Sequence, residues 1–313
     1  MNSKILFAVL SAFFIGELIN ASPIRSDTLI FAKQVNTVQI PPELCTPLFD
    51  SEGWSVDVWK PGNYCLTRDL KQLWPATSQP HQRLPASPLI SIYSSGVFLD
   101  LKKHSLFSET PIHFGVYKSS SNEENYSPTI IKNGSIETKG KPTVFMVETW
   151  NLDNKTFGRN YSLASSHGDV SKYKPTLLIL ENLIIKSDRH AIIMQGKQNI
   201  IRNCLIIGGS RTVNVYGPSL LFEGNTIISD MSSYINGDAH RVALHLEDAG
   251  DSIIRNNNII IRGATSISST AIYIANSKNV LIEKNTLSGT NKIYQIEDDK
   301  SSVRVLENYT NKL

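Results

Sequence analysis

A four-residue phrase ending in Asn recurs through the second half of this 313-residue chain and leaves few folds open to it. It reads Ile-Leu-Glu-Asn at Asn182, Ile-Ile-Arg-Asn at Asn203, Phe-Glu-Gly-Asn at Asn225 and Ile-Arg-Asn-Asn at Asn257. Ile-Glu-Lys-Asn at Asn285 and Val-Leu-Glu-Asn at Asn308 follow, and an earlier copy, Ile-Ile-Lys-Asn, ends at Asn133. Successive steps from Asn182 are 21, 22, 32, 28 and 23 residues, a period near 22 with insertions in two turns. Such self-similarity marks a solenoid, in which each repeat buries its apolar face only against its neighbours.

Aligned on their Asn, the last coils show three short strands each. One strand reads Ala243–Leu246 and then Ala271–Ile274; a second reads Ser252–Ile254 and Val280–Ile282; a third follows the Asn, as in Asn258–Ile261 and Thr286–Leu287. Four-residue strands at about 3.3 Å per residue, joined by tight turns, close one coil of a parallel β-helix. A helical repeat fails on the β-branched content. The expected fold is therefore all-β, a right-handed parallel β-helix with three strands per coil; the hand follows the general rule for parallel crossovers. The Asn column falls at the turn between second and third strands, where Asn tolerates left-handed backbone. Its amides are expected to stack from coil to coil as one internal ladder through Asn133, Asn182, Asn203, Asn225, Asn257, Asn285 and Asn308.

Around this core the chain divides into a signal peptide at 1–21, a capping segment at 22–53 and the β-helix at 54–313, with a loop insert at about 148–174. Lys4 followed by the apolar run Ile5–Ile15 and a small residue, Ala21, is the pattern of a secretory leader, too short to span a bilayer comfortably. The expected location is outside the cytoplasm, secreted or periplasmic, with no membrane span. In that oxidising setting Cys45 and Cys65 are the natural pair, closing a loop of 20 residues and adding roughly 3 kcal/mol of stability. Cys204 is then an odd, buried thiol. A net charge of +3, with no run of Lys and Arg beyond Lys102-Lys103, argues against a nucleic-acid partner.

The Asn-ended phrases, the opening Pro61-Gly-Asn-Tyr-Cys-Leu66 with Asp69-Leu70 behind it, and Val97-Phe-Leu-Asp-Leu-Lys-Lys-His104 carry a family resemblance. The chain resembles the secreted right-handed parallel β-helix proteins of the pectin-lyase-like superfamily, over roughly 54–308. That resemblance implies a polysaccharide partner handled on the outer face of the first strand column. It implies no single reaction, because the superfamily spans lyases, hydrolases, epimerases, esterases and coils without known activity.

Alternation along the first column makes Thr212 and Asn214, then Ala243, His245 and Glu247, then Ala271 and Tyr273 the expected outward residues. Asn214, His245 and Tyr273 should stack about 4.8 Å apart, with Glu247 at one edge. A His and a Tyr are general acid–base groups when their pKa values suit. The loop Asn236–Arg241 adds Asp238, His240 and Arg241, and an Arg suits a uronate carboxylate. His245, Arg241, His240 and Asp238 are therefore the catalytic candidates. Asn214, Tyr273 and Glu247, with the insert's Trp150 and Tyr161, are the substrate-binding ones, since exposed aromatics stack on sugar rings. The insert also carries Phe157, His167, Asp169 and Tyr173, rings that serve equally well to pin it to the helix. His190 is a weaker candidate.

Relatives of this fold bring Ca²⁺ into view as a cofactor, but Glu247, Asp248 and Asp251 form only a thin acidic group, and no metal ligand is assigned. The fixed pair of carboxylates that a glycoside hydrolase needs is also missing, since Asp248 and Asp251 sit in the turn after the strand. Lyase or epimerase chemistry on a polysaccharide is the first expectation. A non-catalytic solenoid for surface interaction or envelope structure is the alternative.

Overall fold

The structure, a computed structural model, describes residues 44–48, 56–72, 88–109, 114–119, 127–139, 143–147, 173, 175–233, 241–263, 269–290 and 292–311. Among these residues the strands form two parallel sheets, one of nine strands and one of seventeen. The nine-stranded sheet is the first column: β2 (Val56–Val58), β5 (Pro88–Ile92), β8 (Phe114–Ser119), β10 (Val144–Val147), β12 (Ile192–Gln195), β15 (Val213–Tyr216), β18 (Val242–Glu247), β21 (Thr270–Ala275) and β24 (Lys292–Ile296). The larger sheet folds around the Asn turn and holds the second and third columns, as in β19 (Ile253–Arg255) with β20 (Asn258–Arg262), and β22 (Val280–Glu283) with β23 (Thr286–Ser288). Every pairing joins equivalent strands of successive coils, so the chain is a parallel β-helix with three strands per coil.

Inward side chains build one continuous core. Val213, Leu244 and Ile272 stack in one row of the first column, with Val215, Leu246 and Ile274 in the next. Leu180, Ile201, Phe222, Ile254 and Ile282 do the same in the second column. At about 25 cal/mol per Å² of apolar surface removed from water, these rows are the main force holding coil to coil. Of the expected capping segment, residues 44–48 are described: strand β1 (Thr46–Leu48) pairs in parallel with Tyr64–Leu66, and Cys45 is disulfide-bonded to Cys65. The bond clips the added strand to the first coil.

The single seven-membered Asn ladder is corrected by register. Lys132, Glu181, Arg202, Glu223, Arg255 and Glu283 are successive cross-strand partners. The residues after them are therefore equivalent, and all have left-handed backbone: Asn133 (φ 59°), Asn182 (53°), Asn203 (54°), Gly224 (66°), Asn256 (56°) and Lys284 (55°). Asn225, Asn257, Asn285 and Asn308 stand one residue further on, and only these four make the ladder. The Oδ1 of Asn257 accepts from Asn225 N at 2.9 Å and Asn225 Nδ2 at 3.2 Å; Asn285 and Asn308 repeat the pattern. Asn225, Asn257 and Asn285 are buried, whereas Asn182 and Asn203 are exposed. Two adjacent positions thus favour Asn for different reasons. One needs φ > 0, the other a side chain that both donates and accepts.

Cys204 continues the ladder position by one coil. Its N–H donates to Asn225 Oδ1 at 3.0 Å, and its thiol lies against Leu180 O and Arg202 O. Burial first of all pushes that thiol up to about 12. Before it the position holds Leu183 and then Gly134, where a Cβ would collide with Leu101 and the His104 carbonyl.

Outside the second column, one charge per coil alternates in sign: Asp100, Lys132, Glu181, Arg202, Glu223, Arg255 and Glu283. Arg202 Nε lies 3.1 Å from Glu181 and Arg255 Nε 2.7 Å from Glu223. Opposite charges on neighbouring strands support this register, and a one-coil slip would set like charges face to face.

Candidate functional site

The second outward row of the first column carries the expected constellation. Asn214, His245 and Tyr273 are register partners on β15, β18 and β21, as are Tyr216, Glu247 and Ala275. The His245 ring stacks on Tyr273 with centroids 5.1 Å apart and planes 11° from parallel, and Tyr216 tilts against its other side at 5.6 Å. Glu247 Oε2 lies 4.0 Å from His245 Nε2. Parallel pairing makes this contact: one coil rise brings planar rings on neighbouring strands to stacking distance.

Exposure differs from the expectation. Asn214 and His245 are each 3% exposed and Tyr273 is 1% exposed, so the strip is a buried polar cluster and not an open face. Thr212, read as outward, turns into the corner before β15, where its hydroxyl donates to Gly209 O at 2.7 Å and meets Ser229 Oγ at 2.6 Å. Ala243 and Ala271 belong to the main core. Alternation fails at these strand starts because the corner, not the sheet, sets the side-chain direction.

Burial holds both phenols protonated. It pushes Tyr216 up to about 12, and with the Glu297 carboxylate it lifts Tyr273 well above the ordinary tyrosine range. The Arg211 charge acts on both phenols in the opposite, lowering direction. Arg211 has left-handed backbone (φ 53°), and its carbonyl accepts from Asn214 Nδ2 at 2.8 Å and lies 2.8 Å from His190 Nδ1. Among the described residues its buried Nε has no hydrogen-bond acceptor.

Arg211 and Tyr216 were not among the expected residues. Tyr216 follows Asn214 by two on the same strand, so alternation could have found it; Arg211, in the turn before, gives no periodic signal. Arg241 is half-buried at the start of β18, where its carbonyl accepts from Thr270 N at 3.1 Å. Asp238, His240, Trp150 and Tyr161 lie outside the described residues. From the 148–174 insert Tyr173 is described; it is buried, and its hydroxyl donates to Asp248 Oδ2 at 2.9 Å. That ring pins the insert's end to the turn after β18 and is not an exposed sugar platform.

Calcium does not fit the acidic group named above. Among the described residues no three or more His, Cys, Asp or Glu side chains come close enough together to hold a metal ion. Asp248 is engaged by Tyr173, and Asp251 accepts from Asn279 Nδ2 at 3.2 Å.

No protein-family model, curated protein or solved structure matches this chain.

Proposed function

We propose that this chain is an exported β-helix protein of the pectin-lyase-like kind, which binds an acidic polysaccharide at the first column and acts on it by proton transfer. The observation that carries the reading is the stacked His245–Tyr273 pair with the Glu247 carboxylate 4.0 Å from His245 Nε2. Titratable groups set side by side and shielded from solvent are a usual make-up of an acid–base site. In this reading His245, oriented by Glu247, takes the proton from the carbon next to a uronate carboxylate. The Arg211 Nε–H, which has no acceptor among the described residues, pairs with that carboxylate and holds the developing charge. Tyr273, kept protonated, returns a proton. Delivered to the glycosidic oxygen as the C–O bond breaks and a C=C bond forms, it completes a lyase reaction; delivered to the other face of the same carbon, it completes an epimerisation. The leader-like N-terminus supports export, and among the described residues no helix is long and apolar enough to cross a membrane.

The burial of His245 and Tyr273 favours a second reading, a non-catalytic solenoid in which the cluster is structural. Purified protein incubated with polygalacturonate and with alginate separates the two. Unsaturated products by ultraviolet absorbance, or an altered uronate composition by NMR, lost in His245→Ala and Tyr273→Phe, is the outcome expected. Silence on both polymers, with unchanged polymer binding by His245→Ala, would leave the structural reading standing.

A further inference from the structure

The corner between the second and third columns carries a cationic turn that the first-column cluster does not use. Asp100 pairs with Lys132 and Ser105 with Ser135, so the segment between them is 101–104 in one coil but only 133–134 in the next. The longer turn holds Lys102 and Lys103, both exposed and both left-handed, with φ of 46° and 68°. Its backbone donors hold it in place: Lys102 N donates to Asp100 Oδ1 at 2.8 Å, Lys103 N to Asn133 O at 2.6 Å and His104 N to Leu101 O at 2.7 Å. The Asp100 carboxylate also accepts from Asn133 Nδ2 at 3.2 and 3.3 Å, and His104 Nδ1 faces Asp69 Oδ1 at 3.5 Å.

The two ammonium groups have no such match. Among the described residues no carboxylate lies within ion-pair distance of Lys102 or Lys103, whereas nearby Lys186 meets Glu137 at 2.8 Å, Arg202 meets Glu181 at 3.1 Å and Arg255 meets Glu223 at 2.7 Å. Both lysines line an open depression of about 750 Å³, together with Asp100, Asn133, Ser135, Asn182 and Ile184. Two cations against one carboxylate leave it with an excess of positive charge. Asn182 is exposed at its side, and Ile184 is 48% exposed. Paired ammonium groups call for an anion, and an ammonium accepts one from many directions. The exposed amide calls for hydroxyls and the Ile for an apolar C–H face. A uronate ring of an acidic polysaccharide offers all three. A nucleic acid fits less well, since among the described residues no aromatic ring or arginine lines the depression. A protein partner would need a larger apolar patch than one Ile.

We infer that this depression is a non-catalytic anchoring site for an acidic polysaccharide, with a uronate carboxylate held by the Lys102 and Lys103 ammonium groups and the sugar's C–H face on Ile184. It does not rest on the acid–base reading of the first column. The test is native affinity electrophoresis at fixed ionic strength, in gels containing polygalacturonate, alginate, hydroxyethyl cellulose or random-sequence duplex DNA. A polyuronate should retard the protein and hydroxyethyl cellulose should not. An exposed charge pair carries a factor of roughly two to five, so Lys102→Gln/Lys103→Gln should raise the apparent Kd for polyuronate roughly tenfold. Lys102→Arg/Lys103→Arg keeps both charges and should bind as the parent does. Lys278→Gln/Lys300→Gln takes the same charge from two exposed lysines of the last coils and should leave retention nearly unchanged, as should His245→Ala. The inference is overturned if neither polyuronate retards the protein, if Lys102→Gln/Lys103→Gln binds as the parent does, or if Lys278→Gln/Lys300→Gln loses as much. Tighter retention by DNA, or abolition by His245→Ala alone, also overturns it. Turnover lost in His245→Ala with retention intact bears on the first column only.

Discussion

Replacing Asn257 by Ala is the sharpest test of the ladder. Asn257 is 2% exposed, and its Oδ1 is the acceptor for the Asn225 N–H at 2.9 Å, while its Nδ2 donates to Phe222 O at 3.0 Å and Asn285 Oδ1 at 2.9 Å. Alanine leaves the Asn225 N–H without that acceptor and withdraws a donor from the Phe222 carbonyl. A buried group stranded in this way costs about 1–3 kcal/mol, so two such losses destabilise by about 3 kcal/mol. Asn203 ends a phrase of the same kind but sits on the exposed left-handed column. There Asn203→Gly keeps the backbone and should cost under about 0.5 kcal/mol. Guanidinium unfolding of both variants with the disulfide intact gives the comparison. A loss under about 1 kcal/mol for Asn257→Ala, or equal losses for the two, would refute the assignment of separate columns.

Reversing one rung of the charge row, Glu223→Lys, places a cation between Arg202 and Arg255 in place of the 2.7 Å pair. The expected loss is about 1 kcal/mol relative to Glu223→Gln, and it should shrink in 1 M salt; a salt-independent difference counts against an electrostatic origin. Asp298 gives a pH test. Burial pulls its carboxyl upward, but the Asn276 N–H at 2.6 Å, the Ser301 hydroxyl and the Lys300 and Ser301 N–H groups outweigh this and hold its pKa below the ordinary carboxylate value. A depressed folded-state pKa stabilises above the unfolded value near 3.9 and stops doing so as pH falls through the folded one. Asp298→Ala should therefore be less stable than the parent at pH 7, with the difference shrinking below about pH 4; a constant difference down to pH 2 would contradict it.

The coil layout was legible because side-chain alternation and turn spacing are local. Val280–Ile282 and Asn258–Ile261 need only an extra residue or two to become the observed strands. The Cys45–Cys65 pair was legible because three cysteines leave few alternatives. The Asn register was not, because the phrase scores Asn182 and Asn225 alike although they sit one residue apart in the coil. A shift of one is invisible to composition but exchanges inside for outside. The stacked His245–Tyr273 pair was read correctly from register, whereas its burial depends on what packs over the column and has no periodic trace. Arg211 was missed for a similar reason, since a turn residue is placed by backbone geometry.

The ladder also has a direction. Each rung reaches forward, its N–H and Nδ2 donating to the Oδ1 of the next coil, so Asn285 is complete only when Asn308 is in place. Cutting the chain before β24 would keep every residue of the Asn285 coil and still take from Asn285 the acceptor of both its N–H and its Nδ2. Coils on the other side of Cys204, with Leu183 and Gly134 at the same position, hand nothing forward. Trimmed from the end, the solenoid therefore loses more than the coil removed, and each cut passes its deficit to the turn that remains.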